Sequence, residues 1–137
     1  VTNRIGFTCS CFDLFHAGHV SMLEEAKQNC DHLIVGVHSD PSIFNPNKNK
    51  PVQSLIERQI QVRACKYVDE IIVYQTEEDL ETILKTLPID VRFLGQDYKG
   101  KPFTGESVCA AKNIQIYYNS RVHDFSSSGL RERIKNE

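Results

Sequence analysis

The stretch His32-Leu33-Ile34-Val35-Gly36-Val37-His38 decides the fold. Between its two histidines no residue carries a polar side chain, so the segment has no side meant for water. A strand that is apolar on both faces is covered on both faces, the habit of a strand inside a parallel sheet. Immediately before it, Val20 to Cys30 has a helical period, with Leu23 and Ala26 on one side and Glu24, Glu25 and Lys27 mostly on the other. Before that helix, Ile5 to Ser10 is a short apolar run. Strand, helix and strand in that order form a parallel unit joined by a crossover helix.

The pattern continues to the C-terminus. Asp40 to Val52 is rich in Asn, Pro and Lys and reads as a loop. Ser54 to Tyr67 is expected to be a helix, with Ser54 as N-cap and Glu57 placed for a capping box. Ile71 to Tyr74 is a strand, and Glu77 to Leu87 a helix with acids in its first turn. Val91 to Gly95 is a strand, followed by a polar loop from Gln96 to Gly105. A short helix from Gly105 to Asn113 and a strand from Ile114 to Tyr118 follow. After a loop at Arg121 to Phe125, a last helix spans Ser126 to Lys135, capped by serines. The spacing therefore predicts an α/β fold with a doubly wound five-stranded parallel sheet and helices on both faces. With 137 residues and no linker or repeat, residues 1–137 are expected to form a single domain.

Composition narrows the function. Sixteen Lys and Arg against eighteen Asp and Glu give a formal charge of -2. That balance excludes a protein that binds nucleic acid through net positive charge. No apolar run reaches the ~18 residues that span a bilayer. The first residues, Val1-Thr2-Asn3-Arg4, contain no apolar core of a secretory signal and no initiator Met, so a trimmed cytoplasmic chain is expected. Five cysteines at spacings that fit no zinc frame are read as reduced, partly buried thiols.

In a doubly wound sheet, ligands bind beyond the carboxyl ends of the strands. After the first strand comes Cys11-Phe12-Asp13-Leu14-Phe15-His16-Ala17-Gly18-His19. His16 and His19 are three apart at a helix start, so both rings can face one ligand. A helix N-terminus favours an anion, and Gly18 admits close approach to the backbone. Phosphate binding and a pair of plain surface histidines both fit. After the second strand, Lys48 and Lys50 either reach over a bound triphosphate or lie on a solvated loop. After the fourth, Gly95 and Asp97 fit close approach by a sugar or nucleobase, or a plain turn. After the fifth, Arg121 precedes Ser126, Ser127 and Ser128. The serines offer hydroxyl and amide donors, and arginine suits bidentate phosphate binding. The alternative there is an N-capped solubilising loop. Four such loops at one end of one sheet weigh together more than any of them alone.

These residues resemble the HxGH nucleotidylyltransferase superfamily and, within it, the cytidylyltransferase family and its glycerol-3-phosphate cytidylyltransferase group. Phe12 to His19 looks like the first family signature, and Arg121 to Ser128 like the second, R-T-E-G-I-S-T-T. Lys66-Tyr67-Val68-Asp69-Glu70 is similar to R-Y-V-D-E, and Gly95-Gln96-Asp97-Tyr98 to G-D-D-W. The likeness runs from Ile5 to Ile134. It implies a Rossmann-like fold, a homodimer, and transfer of a cytidylyl group from CTP to glycerol 3-phosphate or a similar small phospho-alcohol, with release of pyrophosphate. It implies Mg2+ held mainly by the triphosphate, with no protein side chain as ligand. By position, His16, His19, Lys48 and Arg121 would be catalytic. Cys9, Ser10, Cys11, Phe12, Asp13, Gly18, Lys50, Gly95, Asp97 and Ser126 to Ser128 would line the nucleotide, and Arg58 and Lys66 would meet the acceptor phosphate.

The chain departs from that pattern at two places. Val122-His123-Asp124 replaces Thr-Glu-Gly, and Lys66 replaces an arginine, keeping the charge but losing the fork. Phe125-Ser126-Ser127-Ser128-Gly129-Leu130-Arg131 also resembles the I-S-S-T-x-x-R motif of adenylyltransferases in the same superfamily. The alternative is therefore an enzyme that uses ATP and a sugar phosphate of the heptose-phosphate type, with Arg131 as a nucleotide ligand. A non-catalytic nucleotide sensor and a zinc module are the readings from other classes.

Overall fold

The computed structural model describes residues 3–121 and 123–137. Strands β1 (Ile5–Ser10), β2 (His32–His38), β3 (Glu70–Tyr74), β4 (Val91–Gly95) and β5 (Gln115–Asn119) alternate with helices α1 (Ala17–Gln28), α2 (Leu55–Ala64), α3 (Glu77–Thr86), α4 (Glu106–Ala111) and α5 (Ser127–Lys135). All strand pairs are parallel, in the order β3-β2-β1-β4-β5. This is the Rossmann-like, five-stranded parallel architecture expected from the sequence.

Strand β2 explains itself once its two faces are separated. Leu33, Val35 and Val37 join Phe12, Leu23, Val62 and Phe93 in the core beneath α1 and α2. Ile34 points the other way, into the core with Phe7, Tyr74, Leu80 and Leu84 beneath α3 and α4. Gly36 keeps this second face open. A Cβ there would stand 3.0 Å from Cys9 Cβ and 3.1 Å from Phe7 Cζ. Burial of each large side chain contributes roughly 1.5–3 kcal/mol, so the run is apolar because both faces are in use.

Local signals set the helix ends. Ser54 Oγ accepts from Glu57 N at 3.2 Å, and Glu57 returns a carboxylate to Ser54 N at 2.9 Å. That reciprocal pair is the capping box read from the sequence. Helix α1 starts at Ala17, earlier than the expected Val20, because His16 caps it with its own ring.

The sheet reverses its winding between β1 and β4, and there the ladder is short. β1 pairs with β2 from Ile5↔His32 to Ser10↔Val37, but with β4 only at Gly6↔Val91 and Phe7↔Arg92. Beyond those pairs the two carboxyl ends part, and the gap is the root of a cavity of about 1030 Å³. Among the described residues no helix is long and apolar enough to cross a membrane. All five cysteines are free thiols.

Candidate active site

Three chain segments are tied together at the carboxyl end of β1, and Asp13 is the knot. Its carboxylate accepts from Val52 N at 2.8 Å and Gln53 N at 2.9 Å, at the entry to α2. It also accepts from Arg131 Nη2 of α5 at 2.8 Å. Ser127 Oγ donates to the Asp13 carbonyl at 3.1 Å, and Leu14 N donates to Gln53 Oε1 at 2.8 Å. Phe12 and Leu14, on either side, hold φ of 54° and 53°. Non-glycine residues in that region are strained and persist only where their surroundings fix them.

This loop aims the two histidines. His16 Nδ1 accepts from Gly18 N at 3.0 Å, and His19 Nδ1 accepts from His16 N at 3.1 Å. The pair is a capping box made of imidazoles. A ring nitrogen that accepts carries no proton, so in each neutral ring the proton sits on Nε2. The rings stack with centroids 3.9 Å apart, and Phe15 stacks on His19 at 5.5 Å. Burial, then the neighbouring His16, pushes the His19 pKa down to about 3. Burial and the charges of His123 and Arg121 also hold His16 below its usual value. At neutral pH the site therefore presents two uncharged N–H donors at a helix N-terminus, ready for an anion. Gly18 serves this packing: a Cβ there would stand 2.9 Å from His16 Cε1 and 3.0 Å from the Phe125 carbonyl oxygen.

The cavity is lined by His16, Gly18, His19, Lys48, Arg121, Ser126 and Ser127. Cys9, Ser10, Cys11, Phe12, Asp13, Gly95 and Asp97 line it as well. Arg121 reaches the Phe125 carbonyl with Nη2 at 3.2 Å, and Ser126 Oγ caps α5 by accepting from Gly129 N at 2.9 Å. Lys50 and Ser128 are not on the lining. Lys50 is exposed, and its charge instead acts on Asp40. Val122 lies outside the described residues.

Two expectations are corrected by position. Arg58 does not meet the cavity. It is 2% exposed, and its guanidinium donates to the carbonyls of Cys11 at 3.0 Å, His38 at 2.6 Å, Ser39 at 2.5 Å and Gln53 at 3.3 Å. Arg58 is thus a clamp on the carboxyl ends of β1 and β2, and it does not line the cavity where an acceptor phosphate would sit. Lys66 lies just before β3, at the amino end of the parallel sheet, while the cavity opens at the carboxyl end. Its Nζ sits 5.2 Å from the centroid of the Tyr67 ring.

Sequence reasoning missed residues that line the same cavity: Arg92, Tyr74, Glu77 and Phe103. Arg92 had a visible signal, a lone charge inside the apolar run Val91-Arg92-Phe93-Leu94. It also missed Glu25, read as a solvent-facing acid. Glu25 accepts from Tyr117 Oη at 2.9 Å and Ser120 N at 3.0 Å, which anchors the turn that carries Arg121.

Residues 7–133 match the family described as cytidylyltransferase-like. The bifunctional protein HldE of Granulibacter bethesdensis is 34% identical over 131 residues, 95% of this chain and 27% of that protein. The bifunctional protein HldE of Rhodospirillum rubrum is 35% identical over 132 residues, 96% of this chain and 26% of that protein. The chain thus spans about a quarter of the length of these relatives. Among solved structures, the lipopolysaccharide core biosynthesis protein from Thermoplasma volcanium has a TM-score of 0.72 at 24% identity, over 89% of this chain and 100% of that one. Pantothenate synthetase from Thermus thermophilus has a TM-score of 0.63 at 13% identity, over 96% of this chain and 64% of that one. At those identities both structures speak for the fold.

The HldE relatives overturn the expectation of a glycerol-3-phosphate cytidylyltransferase and side with its alternative. Ser127 and Arg131, just past the stretch that departs from the cytidylyltransferase signature, are both bonded to Asp13 beside the histidines. Through the signature at the end of β1 and a match that runs from residue 7 to residue 133, the chain belongs to the cytidylyltransferase-like family of nucleotidyltransferases.

Proposed function

We propose that residues 1–137 act as one nucleotidyltransferase domain that moves an adenylyl group from ATP to a heptose phosphate or a similar sugar phosphate. The observation that carries the reading is the histidine pair, with both Nδ1 atoms engaged at the start of α1 and both Nε2–H groups left for phosphate oxygens. Likeness to the HldE proteins supports ATP and a heptose phosphate as the substrates.

An oxygen of the acceptor phosphate attacks the α-phosphorus and forms the new P–O bond. The bond from that phosphorus to the β-bridging oxygen breaks, and pyrophosphate leaves with the electron pair. The acceptor is already a nucleophile, so no covalent enzyme intermediate is required. The protein's work is placement and stabilisation of developing charge. His16 and His19 donate to the triphosphate without paying for desolvation of a resident charge. Arg121 and Lys48 add cations at the rim, and the N-terminus of α5 adds amide donors.

Among the described residues no three His, Cys, Asp or Glu side chains converge on one point. Both carboxylate oxygens of Asp13 are already engaged. Mg2+ would arrive on the triphosphate and would there neutralise phosphate charge. A homodimer and a cytoplasmic setting complete the proposal. The free thiols and the exposed Ile56 and Ile60 on α2, with Val52 just before that helix, are in keeping with them.

The test is pyrophosphate release with magnesium, with ATP and CTP each crossed against heptose 1-phosphate, other sugar phosphates and glycerol 3-phosphate. Release with ATP and a sugar phosphate is the expected result. Release with CTP alone would overturn the choice of nucleotide.

A further inference from the structure

On the α3 and α4 side of the sheet the cavity is lined by Tyr74, Glu77, Arg92, Phe103 and Thr104, which together bound its second lobe. Arg92 stands inside β4 and is 3% exposed. One terminal nitrogen donates to the Thr104 carbonyl, and the guanidinium carbon lies 5.1 Å from the centroid of the Phe103 ring. Its Nε–H is shut away from solvent with no hydrogen-bond partner. The ion pairs of the described residues do not include it. A buried cation with an unused donor is costly, and such groups survive where a ligand completes them.

The neighbours do not supply the missing negative charge. Burial raises the pKa of both the Cys9 thiol and the Tyr74 phenol, so both stay neutral at physiological pH. Glu77, on the first turn of α3, is exposed at the mouth. Tyr98 and Phe103 give the lobe aromatic walls of the kind that pack on the C–H faces of a sugar. The lobe is continuous with the space beside His16 and His19, because β1 and β4 part above Phe7 and Arg92.

We propose that Arg92 is the acceptor-recognition residue, its guanidinium donating to a phosphoryl oxygen of the sugar phosphate held in this lobe. The attacking phosphate is then gripped from the β4 side and the triphosphate from the α1 side, with the reacting atoms between them. This assignment rests on the reading of the chain as a sugar-phosphate adenylyltransferase. It fills the role that Arg58 and Lys66 cannot take.

The experiment compares wild type with Arg92→Met and Arg92→Lys. Turnover is measured against both substrates, and ATP and inorganic phosphate binding by calorimetry. The expected result for Arg92→Met is an acceptor KM raised roughly 10–100-fold with ATP affinity unchanged. Arg92→Lys, which keeps the charge without the fork, should fall between the two and serves alone if Arg92→Met does not fold. An acceptor KM within threefold of wild type in a folded variant overturns the assignment and leaves the adenylyltransferase reading intact. If wild type adenylylates no sugar phosphate, that reading falls, and phosphate binding decides for Arg92. With ATP saturating, wild type should bind inorganic phosphate and Arg92→Met should not. Equal binding, or none to wild type, overturns it.

Discussion

Two arginines are buried in this molecule, and their surroundings are opposite. Arg58 donates to four backbone carbonyls and does not line the cavity beside the histidines. Arg92 keeps an unpartnered Nε and forms part of a cavity wall. Burial and charge are alike in the two, so neither property marks a site. What separates them is whether the protein alone satisfies the group. The same contrast divides the histidines: each Nδ1 belongs to the helix start, and each Nε2 is left for a ligand.

The largest expected effect is on turnover. Loss of either histidine should lower kcat by ~10²–10³-fold, the usual cost of one donor to developing charge. His16→Ala also removes an N-cap, worth about 1 kcal/mol of stability. His16→Asn keeps the cap and drops only the phosphate donor, so it should lose turnover with little change in melting temperature. Near-normal turnover in both His16→Asn and His19→Ala would remove the histidines from the mechanism.

The two arginines should then split in denaturant titrations. Arg58→Met strands several buried carbonyls at once and should cost about 3 kcal/mol. Arg92→Met strands little beyond the Thr104 carbonyl and should cost about 1 kcal/mol or less. Equal losses would erase the distinction between a clamp and a ligand group. Asp13→Asn comes next. It turns one acceptor oxygen into a donor facing Val52 N, Gln53 N or Arg131, and should cost about 2 kcal/mol. Because it loosens three segments of the site together, kcat should fall with it, as turnover and denaturation of the same preparation would show.

Legibility in the sequence followed the range of the interactions. The capping box at Ser54 and Glu57 is closed within four residues and was readable as it stands. Strand β2 was readable because burial on both faces leaves an unbroken apolar run. Arg58 was not, since a charge in a helix looks the same whether it meets water or carbonyls, three of which come from two distant segments. Lys66 was misplaced for a different reason. Its position just before a strand already puts it at the amino end of a parallel sheet, so the alternation itself argued against a ligand there. Arg92 sat in plain view as a charge within an apolar strand, but only the parting of β1 and β4 says that it looks into a cavity.

The remaining effect is a pH dependence, and it tests the histidines without any substrate. His19 has its pKa pushed down to about 3 by burial, then by His16, and His16 is lowered as well. The unfolded chain takes up a proton near pH 6.5, which folded His19 refuses until about pH 3. Between those values the unfolded state binds more protons, so stability rises with pH across the window and falls as the solution is acidified. One pKa unit corresponds to about 1.4 kcal/mol, so the shift from pH 7 to pH 5 should cost up to about 2 kcal/mol, with solvent access to the rings reducing it. His19→Gln can still reach back to the N-cap amide but does not titrate. Its stability should change less between pH 7 and pH 5 than that of wild type, and identical profiles would mean that the His19 ring is open to protons in the folded state. A phosphate ligand should reverse the trend, because an anion against Nε2 favours the charged imidazole. With ATP bound, the C–H resonances of both rings should therefore titrate at higher pH than in the free protein, which ties the titration to the two Nε2 atoms left for a ligand.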